Sequence, residues 1–255
     1  MSIFLTVPSQ ESNTNLRIEP EKKDREDLKT PNETNGYLVK ASFKITYILL
    51  LTTGTITLIE SLRAEKPIVR HIFNLETCIS LIAGYFYSLF VADIYLSEKE
   101  GKPLDWAAIT KMRYIDWSIT TPFMLLVLCA FLANESKSEV SLRTVGSVFL
   151  LNYLMLGFGY LGEIGKIDRV TACIAGFVPF IALYYLIYKN FINIGEGIKK
   201  YFLYFLYLFV WSLYGLVFLL DESYKNIAMN ILDCISKCFV GIGLWIYYTN
   251  IVTKL

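Results

Sequence analysis

Seven apolar stretches, each near the ~20 residues that cross a bilayer as a helix, divide the chain from about residue 38 to 250. They fall at 38–62, 70–95, 106–132, 140–162, 170–193, 200–221 and 226–250. The links are short and polar: Ala64-Glu65-Lys66-Pro67, Glu98-Lys99-Glu100-Gly101-Lys102-Pro103, Asn134-Glu135-Ser136-Lys137 and Gly195-Glu196-Gly197. Tight links hold consecutive helices side by side. The expected fold is therefore all-α, one bundle of seven transmembrane helices in a lipid bilayer.

Composition agrees. The chain is 55% hydrophobic and 15% aromatic with mean hydropathy +0.46, too apolar for an ordinary soluble domain. A net charge of +1 gives no electrostatic footprint for nucleic acid. Residues 1–36 are polar, charged and nearly free of aromatics, so they are expected to form a disordered tail, with the membrane domain at 37–255. No arginine-led apolar signal segment precedes it. All five cysteines (Cys78, Cys129, Cys173, Cys234, Cys238) fall inside the spans and read as small buried hydrophobes. Neither they nor the single His71 have metal-ligand spacing, so no metal is expected.

Orientation follows from basic residues in short loops. An outside N-terminus places nine of them inside and six outside, a small margin, and Arg17, Lys22, Lys23, Arg25 and Lys29 of the tail weigh the other way. Two N-glycosylation sequons, Asn32-Glu33-Thr34 and Asn134-Glu135-Ser136, mark opposite sides under that topology, with only Asn32 available for modification.

Charge inside the apolar stretches carries the chemistry. Lys237 lies in the seventh with Asp233 four residues before it, a spacing that puts both on one helix face. A charge at the bilayer centre costs at least about 2.5–3.5 kcal/mol. The third stretch opens Arg113-Tyr114-Ile115-Asp116-Trp117-Ser118-Ile119-Thr120-Thr121-Pro122. Positions 113, 116, 117, 120 and 124 recur at i, i+3, i+4, i+7 and form one stripe facing an interior. Pro122 is expected to kink that helix and free a carbonyl for another partner. Trp211, Tyr214 and Phe218 share a face of the sixth stretch, while Gly157, Gly159 and Gly176 allow a bulky group close to backbone. A buried lysine beside two buried aspartates is what a protonated Schiff base and its counterion require, which makes retinal the first hypothesis. Each element has a plainer reading alone: an ion pair fixing helix packing, or aromatic core.

From about residue 38 to 250 the chain resembles a microbial rhodopsin, the retinal-binding seven-helix family. Arg113-Tyr114-Ile115-Asp116-Trp117-x-x-Thr120-Thr121-Pro122 is similar to its third helix, Trp211-x-x-Tyr214 to its sixth and Leu232-Asp233-x-x-x-Lys237 to its seventh. The resemblance implies all-trans retinal as a Schiff base on Lys237, Asp116 as primary proton acceptor and counterion, Asp233 as second counterion and Arg113 as outer gate. It also implies an extracellular N-terminus, a homo-oligomer (trimer or pentamer), and a pocket lined by Tyr87, Trp117, Thr120, Thr121, Met124, Asn152, Met155, Gly157, Gly176, Phe180, Trp211, Tyr214 and Phe218. Such a protein is not an enzyme.

Departures narrow the subtype. In the family's outward proton pumps a carboxylate stands eleven residues after the acceptor; here that position is Val127. Glu76 lies eleven residues before Tyr87 on the antiparallel second helix. Eleven residues rise roughly 16 Å along one face, so Glu76 reaches the depth of Val127 and can serve as donor. A carboxylate snorkelling beside Arg70 or His71 is the plainer alternative, and Glu60 reads as interfacial. A second-helix donor resembles one group of rhodopsins carried by large algal viruses. Ala83 and Cys238 stand where channel members carry Glu and Asn, Asp116 argues against a chloride pump, and Asp116, Thr120, Val127 differ from the sodium-pump triplet. Gly215 replaces a common proline. Met124 points to green absorption, and Asp221 and Glu222 are candidates for proton release. The expectation is a light-driven outward proton pump; the alternatives are a light-gated channel for protons or other monovalent cations, then a photosensor.

Overall fold

The computed structural model describes residues 31–194 and 198–249, with side chains described from Gly36 onward. The expected tail up to residue 30, the Gly195-Glu196-Gly197 link and the side chain of the Asn32 sequon lie outside the described residues. Among the described residues, seven helices long and apolar enough to cross a membrane follow one another: α1 (Pro31–Arg63), α2 (Pro67–Glu100), α3 (Trp106–Ser136), α4 (Leu142–Glu163), α5 (Arg169–Ile192), α6 (Ile198–Val217) and α7 (Glu222–Thr249). Helix α1 starts ahead of the expected span, so residues 31–36 of the anticipated tail belong to its first turns.

The helix ends follow local chemistry. Pro67 opens α2, where its missing N–H is not needed. Gly101 closes it at φ 65°, and the Lys102 amide donates to the Ser97 carbonyl at 2.9 Å, a Schellman-type stop. Asp105, Ser141 and Asp168 cap α3, α4 and α5 by accepting the amides of Ala108, Thr144 and Thr171 at 3.0, 3.1 and 3.0 Å. The Thr171 amide, with its hydroxyl, holds the Asp168 carboxyl below the usual carboxylate range.

Burial ranks the helices. In the most apolar windows of α3 and α7, 67% and 61% of residues are buried, against 17% in α4. The two helices bearing the charged motifs are therefore the centre of the bundle. One core of Ile72, Leu125, Leu128, Leu132, Leu183 and Leu244 fills the end near Arg63; a second, with Phe43, Leu50, Tyr87 and Phe90, joins α1 to α2.

Pro122 behaves as expected. It has no N–H for the Ser118 carbonyl one turn back, and the Tyr153 hydroxyl of α4 donates to that carbonyl at 3.1 Å. Two features were not expected: α5 and α7 contain π-helical turns, at Tyr188–Ile192 and Cys234–Phe239. The cysteines are all free; Cys129, Cys234 and Cys238 are buried, while Cys78 is exposed and Cys173 partly so. The partly exposed Cys173 gives its thiol to the Gly215 carbonyl of α6 at 3.3 Å.

Candidate functional site

The π turn of α7 carries Lys237, and such an insertion re-aims a side chain inside a helix. Lys237 Nζ donates to Asp116 Oδ2 at 2.9 Å and lies 3.4 Å from Asp233 Oδ2. All three side chains are essentially inaccessible, as the cost of burying unpaired charge requires. The two carboxylates differ in what else they hold. Asp233 accepts from Tyr214 at 2.6 Å and Tyr87 at 2.7 Å, with Arg113 Nη1 at 3.6 Å. Asp116 Oδ1 has no hydrogen-bond partner among the described residues.

Arg113 is fixed by Tyr87 and by two asparagines that sequence reasoning missed. Its Nη2 donates to Asn226 Oδ1 at 3.1 Å and Asn230 Oδ1 at 2.9 Å, and its Nη1 to the Tyr87 hydroxyl at 3.2 Å. Asn230 is itself held, donating to Ser42 of α1 at 2.9 Å. The signal was present: Asn226, Asn230, Asp233 and Lys237 step by four, three and four along one face of α7.

From Lys237 a cavity of about 120 Å³ runs between α3, α4, α5 and α6. Of the expected pocket residues, Trp117, Thr121, Met124, Met155, Gly176, Phe180, Trp211, Tyr214 and Phe218 line it. Trp117 stands edge-on to Tyr214 at 5.5 Å. Four expected residues do not line it. Tyr87 turns to Asp233 and Arg113 instead. The Thr120 hydroxyl returns to its own helix at the Asp116 carbonyl, 2.9 Å away. Asn152 lies behind the wall, donating to the Thr121 hydroxyl at 2.8 Å. Gly157 has nothing near its Cα to approach; Gly159 lines the cavity in its place. Tyr114, Cys173, Phe177 and Gly215 were missed as lining. Gly215 is there by necessity, since a Cβ on it would fall 2.6 Å from the Phe177 ring.

Glu76 lies outside the cavity, 1% exposed in the half of the bundle near Arg63. Its Oε2 has no hydrogen-bond partner among the described residues. The snorkelling alternative is not what the geometry gives: Arg70 bonds the Ala64 carbonyl at 2.8 Å, and His71 is exposed. Val127, eleven residues after Asp116, is fully buried. Glu60 pairs with Arg63 at 3.0 Å. At the opposite end, Glu222 and the buried Glu163 both hold Lys225, at 2.8 and 2.9 Å.

Residues 38–251 match the family model described as bacteriorhodopsin-like protein. The chain is 40% identical to the viral rhodopsin OLPVRII, over 84% of this chain and 99% of that one, with a TM-score of 0.77. It is 26% identical to the green-light absorbing proteorhodopsin of Gamma-proteobacterium EBAC31A08, over 53% of this chain. That match spans 60% of the relative's own length. The fold, at 20% identity and TM-score 0.66, is also that of the proton pumping rhodopsin AR2 from the marine alga Acetabularia acetabulum, over 85% of this chain and 96% of that one.

The cofactor of this family is retinal, and the cavity fits a polyene carrying a cationic nitrogen at one end. It is walled by aromatic and sulfur side chains, and Lys237 with its two aspartates closes one end. Two further lysines are buried among the described residues, but Lys200 donates to the Ile192 carbonyl at 3.0 Å and Lys225 is held by glutamates; neither lines the cavity. Seven membrane-spanning helices, a retinal slot and the matched family model all say the same thing: the chain is a microbial rhodopsin, a member of the bacteriorhodopsin-like family.

Proposed function

We propose that this protein is a light-driven outward proton pump, with Lys237 as the attachment point, Asp116 as proton acceptor and Glu76 as donor. The N-terminus is then extracellular and the end bearing Arg63 cytoplasmic. The supporting observation is an asymmetry about Lys237: a carboxylate hydrogen-bonded to its nitrogen on one side, and on the other the buried Glu76 carboxyl, whose Oε2 has no hydrogen-bond partner among the described residues. Retinal, joined to Lys237 as a Schiff base, supplies light absorption and a nitrogen whose acidity and orientation change on isomerisation.

The residues divide the remaining work. Asp116 Oδ2 is 2.9 Å from Nζ and can take a proton with little movement. Asp233 is a poor acceptor because both of its oxygens already accept hydroxyl donors; it serves as fixed negative charge. Arg113, anchored by Asn226 and Asn230, lies on the outer side of this pair and balances it. Glu76 holds a proton in the cytoplasmic half, since no cation is paired with it among the described residues and an unpaired buried carboxylate is costly. That proton reloads Lys237 after the first has left outward.

A second reading, a light-gated cation channel, draws on one observation. Thr53, Thr57, Thr77 and Ser80 are buried with Glu76 between α1 and α2, and the Thr57 and Thr77 hydroxyls bond each other at 2.9 Å. Photocurrent under voltage clamp in retinal-supplied cells separates the two. An outward current that keeps its sign at every holding potential supports the pump; one that reverses with the ionic gradient supports the channel.

A further inference from the structure

Four rings stand between Glu76 and the cytoplasmic end of the bundle. Phe73 precedes Glu76 by three residues on α2, roughly 4.5 Å nearer that end. Tyr248 follows Gly241, whose Cα faces Glu76, by seven residues or two turns of α7. Phe73 and Tyr248 meet edge-on at 5.9 Å; Phe131 of α3 meets Tyr247 at 5.6 Å and Tyr248 at 6.2 Å; the two tyrosines are 4.9 Å apart. Phe73 and Phe131 are buried, and the Tyr248 hydroxyl is buried without a hydrogen-bond partner among the described residues.

Polar contacts at Tyr247 fasten these rings. The Tyr247 hydroxyl donates to Glu135 Oε1 at 2.9 Å, joining the end of α7 to the end of α3. The Lys199 ammonium lies 4.7 Å from the centre of the Tyr247 ring and brings α6 to the same point. A carboxylate acceptor makes this bond stronger than a neutral one, and it sits where the rings would have to part to admit water.

We propose that Phe73, Phe131, Tyr247 and Tyr248 form a cytoplasmic gate over Glu76, latched by the Tyr247–Glu135 hydrogen bond, so that Glu135 and Tyr247 govern how fast the donor exchanges protons with the cytoplasm. The inference builds on the reading of Glu76 as donor. Neither latch residue touches the chromophore cavity; both are positioning residues.

The test is the rate at which the carboxylic C=O stretch of Glu76, identified by its loss in Glu76→Gln, shifts after transfer of the dark pigment into deuterated buffer. Tyr247→Phe and Glu135→Gln keep the rings and loosen the latch. Each is expected to speed exchange about tenfold, the factor expected from losing a charge-assisted hydrogen bond. Tyr85→Phe, on the exposed face of α2, leaves it unchanged. Wild-type exchange rates in both latch variants would overturn the gate. If wild type shows no such band, the donor reading falls, and the gate is judged instead by Glu76→Cys. The labelling of that thiol by a water-soluble methanethiosulfonate, read by mass spectrometry, is then expected to be about tenfold faster with the latch removed, and equal rates would overturn the gate.

Discussion

Gly241 and Glu76 are pressed together across the α2–α7 interface: a Cβ on Gly241 would fall 3.0 Å from Glu76 Oε2. Gly241 stands four residues beyond Lys237 on the same helix. The carboxyl is thus held one turn from the attachment point, toward the end of the bundle bearing Arg63. Glu76→Gln keeps the shape and removes the transferable proton. Return of the dark absorption after a flash is expected to slow by about 100-fold, the low end for loss of a positioned proton donor, and added azide restores it. A cycle of wild-type speed in this variant refutes the donor assignment. Gly241→Ala, which displaces the carboxyl without removing it, slows the same phase by a smaller factor.

Attachment at Lys237 separates cleanly from burial as such. Lys237→Ala abolishes the covalent pigment and its visible band. Lys200→Ala, which removes an ammonium from the Ile192 carbonyl, leaves the band in place and affects stability only. The check is acid-denatured absorbance with retinal added, and a pigment surviving in Lys237→Ala would move the attachment elsewhere.

The two aspartates are expected to behave differently although both face one nitrogen. Asp116→Asn removes the nearer negative charge, which lets positive charge spread from the nitrogen and moves the absorption to the red. Of the two carboxylates, Asp116 is the one with an oxygen left unpartnered among the described residues, so its loss is expected to abolish steady photocurrent. Asp233→Asn leaves an acceptor in place and is expected to retain transient charge movement, while weakening the hold on Tyr87, Tyr214 and Arg113. Steady pumping by Asp116→Asn would invert the assignment.

Much of this was legible in the sequence because its signals are local or periodic. Seven apolar stretches gave the helix count, and the i, i+3, i+4, i+7 stripe placed Arg113, Asp116, Trp117, Thr120 and Met124 inward, where all are buried. The spacing of Asp233 and Lys237 put both on one face. What escaped depends on side-chain and backbone choices within a helix, or on the approach of one helix to another. Thr120 is buried yet turns its hydroxyl to its own backbone, and Asn152 supports Thr121 from behind; neither orientation is encoded in spacing. The π turn at Lys237 has no residue signature. Gly215 could be seen only as a missing proline until Phe177 was found packed on it.

Asn230 ties α7 to three other helices, accepting from Arg113 Nη2 and the Tyr87 hydroxyl, each at 2.9 Å, and giving its amide to Ser42 at 2.9 Å. Asn230→Ala leaves a buried guanidinium short of an acceptor. A cost of about 1–3 kcal/mol is expected, read as a lower melting temperature of the dark pigment. The absorption should shift as well, because Arg113 also sits 3.6 Å from Asp233. Unchanged melting and colour would show that Asn226 alone suffices to hold Arg113.

Gly215→Ala tests whether the cavity wall is set by close packing. The added methyl would lie 2.6 Å from two ring carbons of Phe177, a distance no side chain can keep, so the ring must move. Phe177 stands edge-on to Phe180 at 5.5 Å, and both line the cavity. The displacement therefore reaches the chromophore wall instead of dissipating into lipid. Overpacking of this kind costs about 1–3 kcal/mol, and a shift of the visible band should accompany the loss of stability. Phe177→Leu in the same chain makes room for the methyl and is expected to recover much of the melting temperature. If the single variant melts and absorbs as wild type does, α5 and α6 are free to separate at this level, and glycine at position 215 needs another explanation.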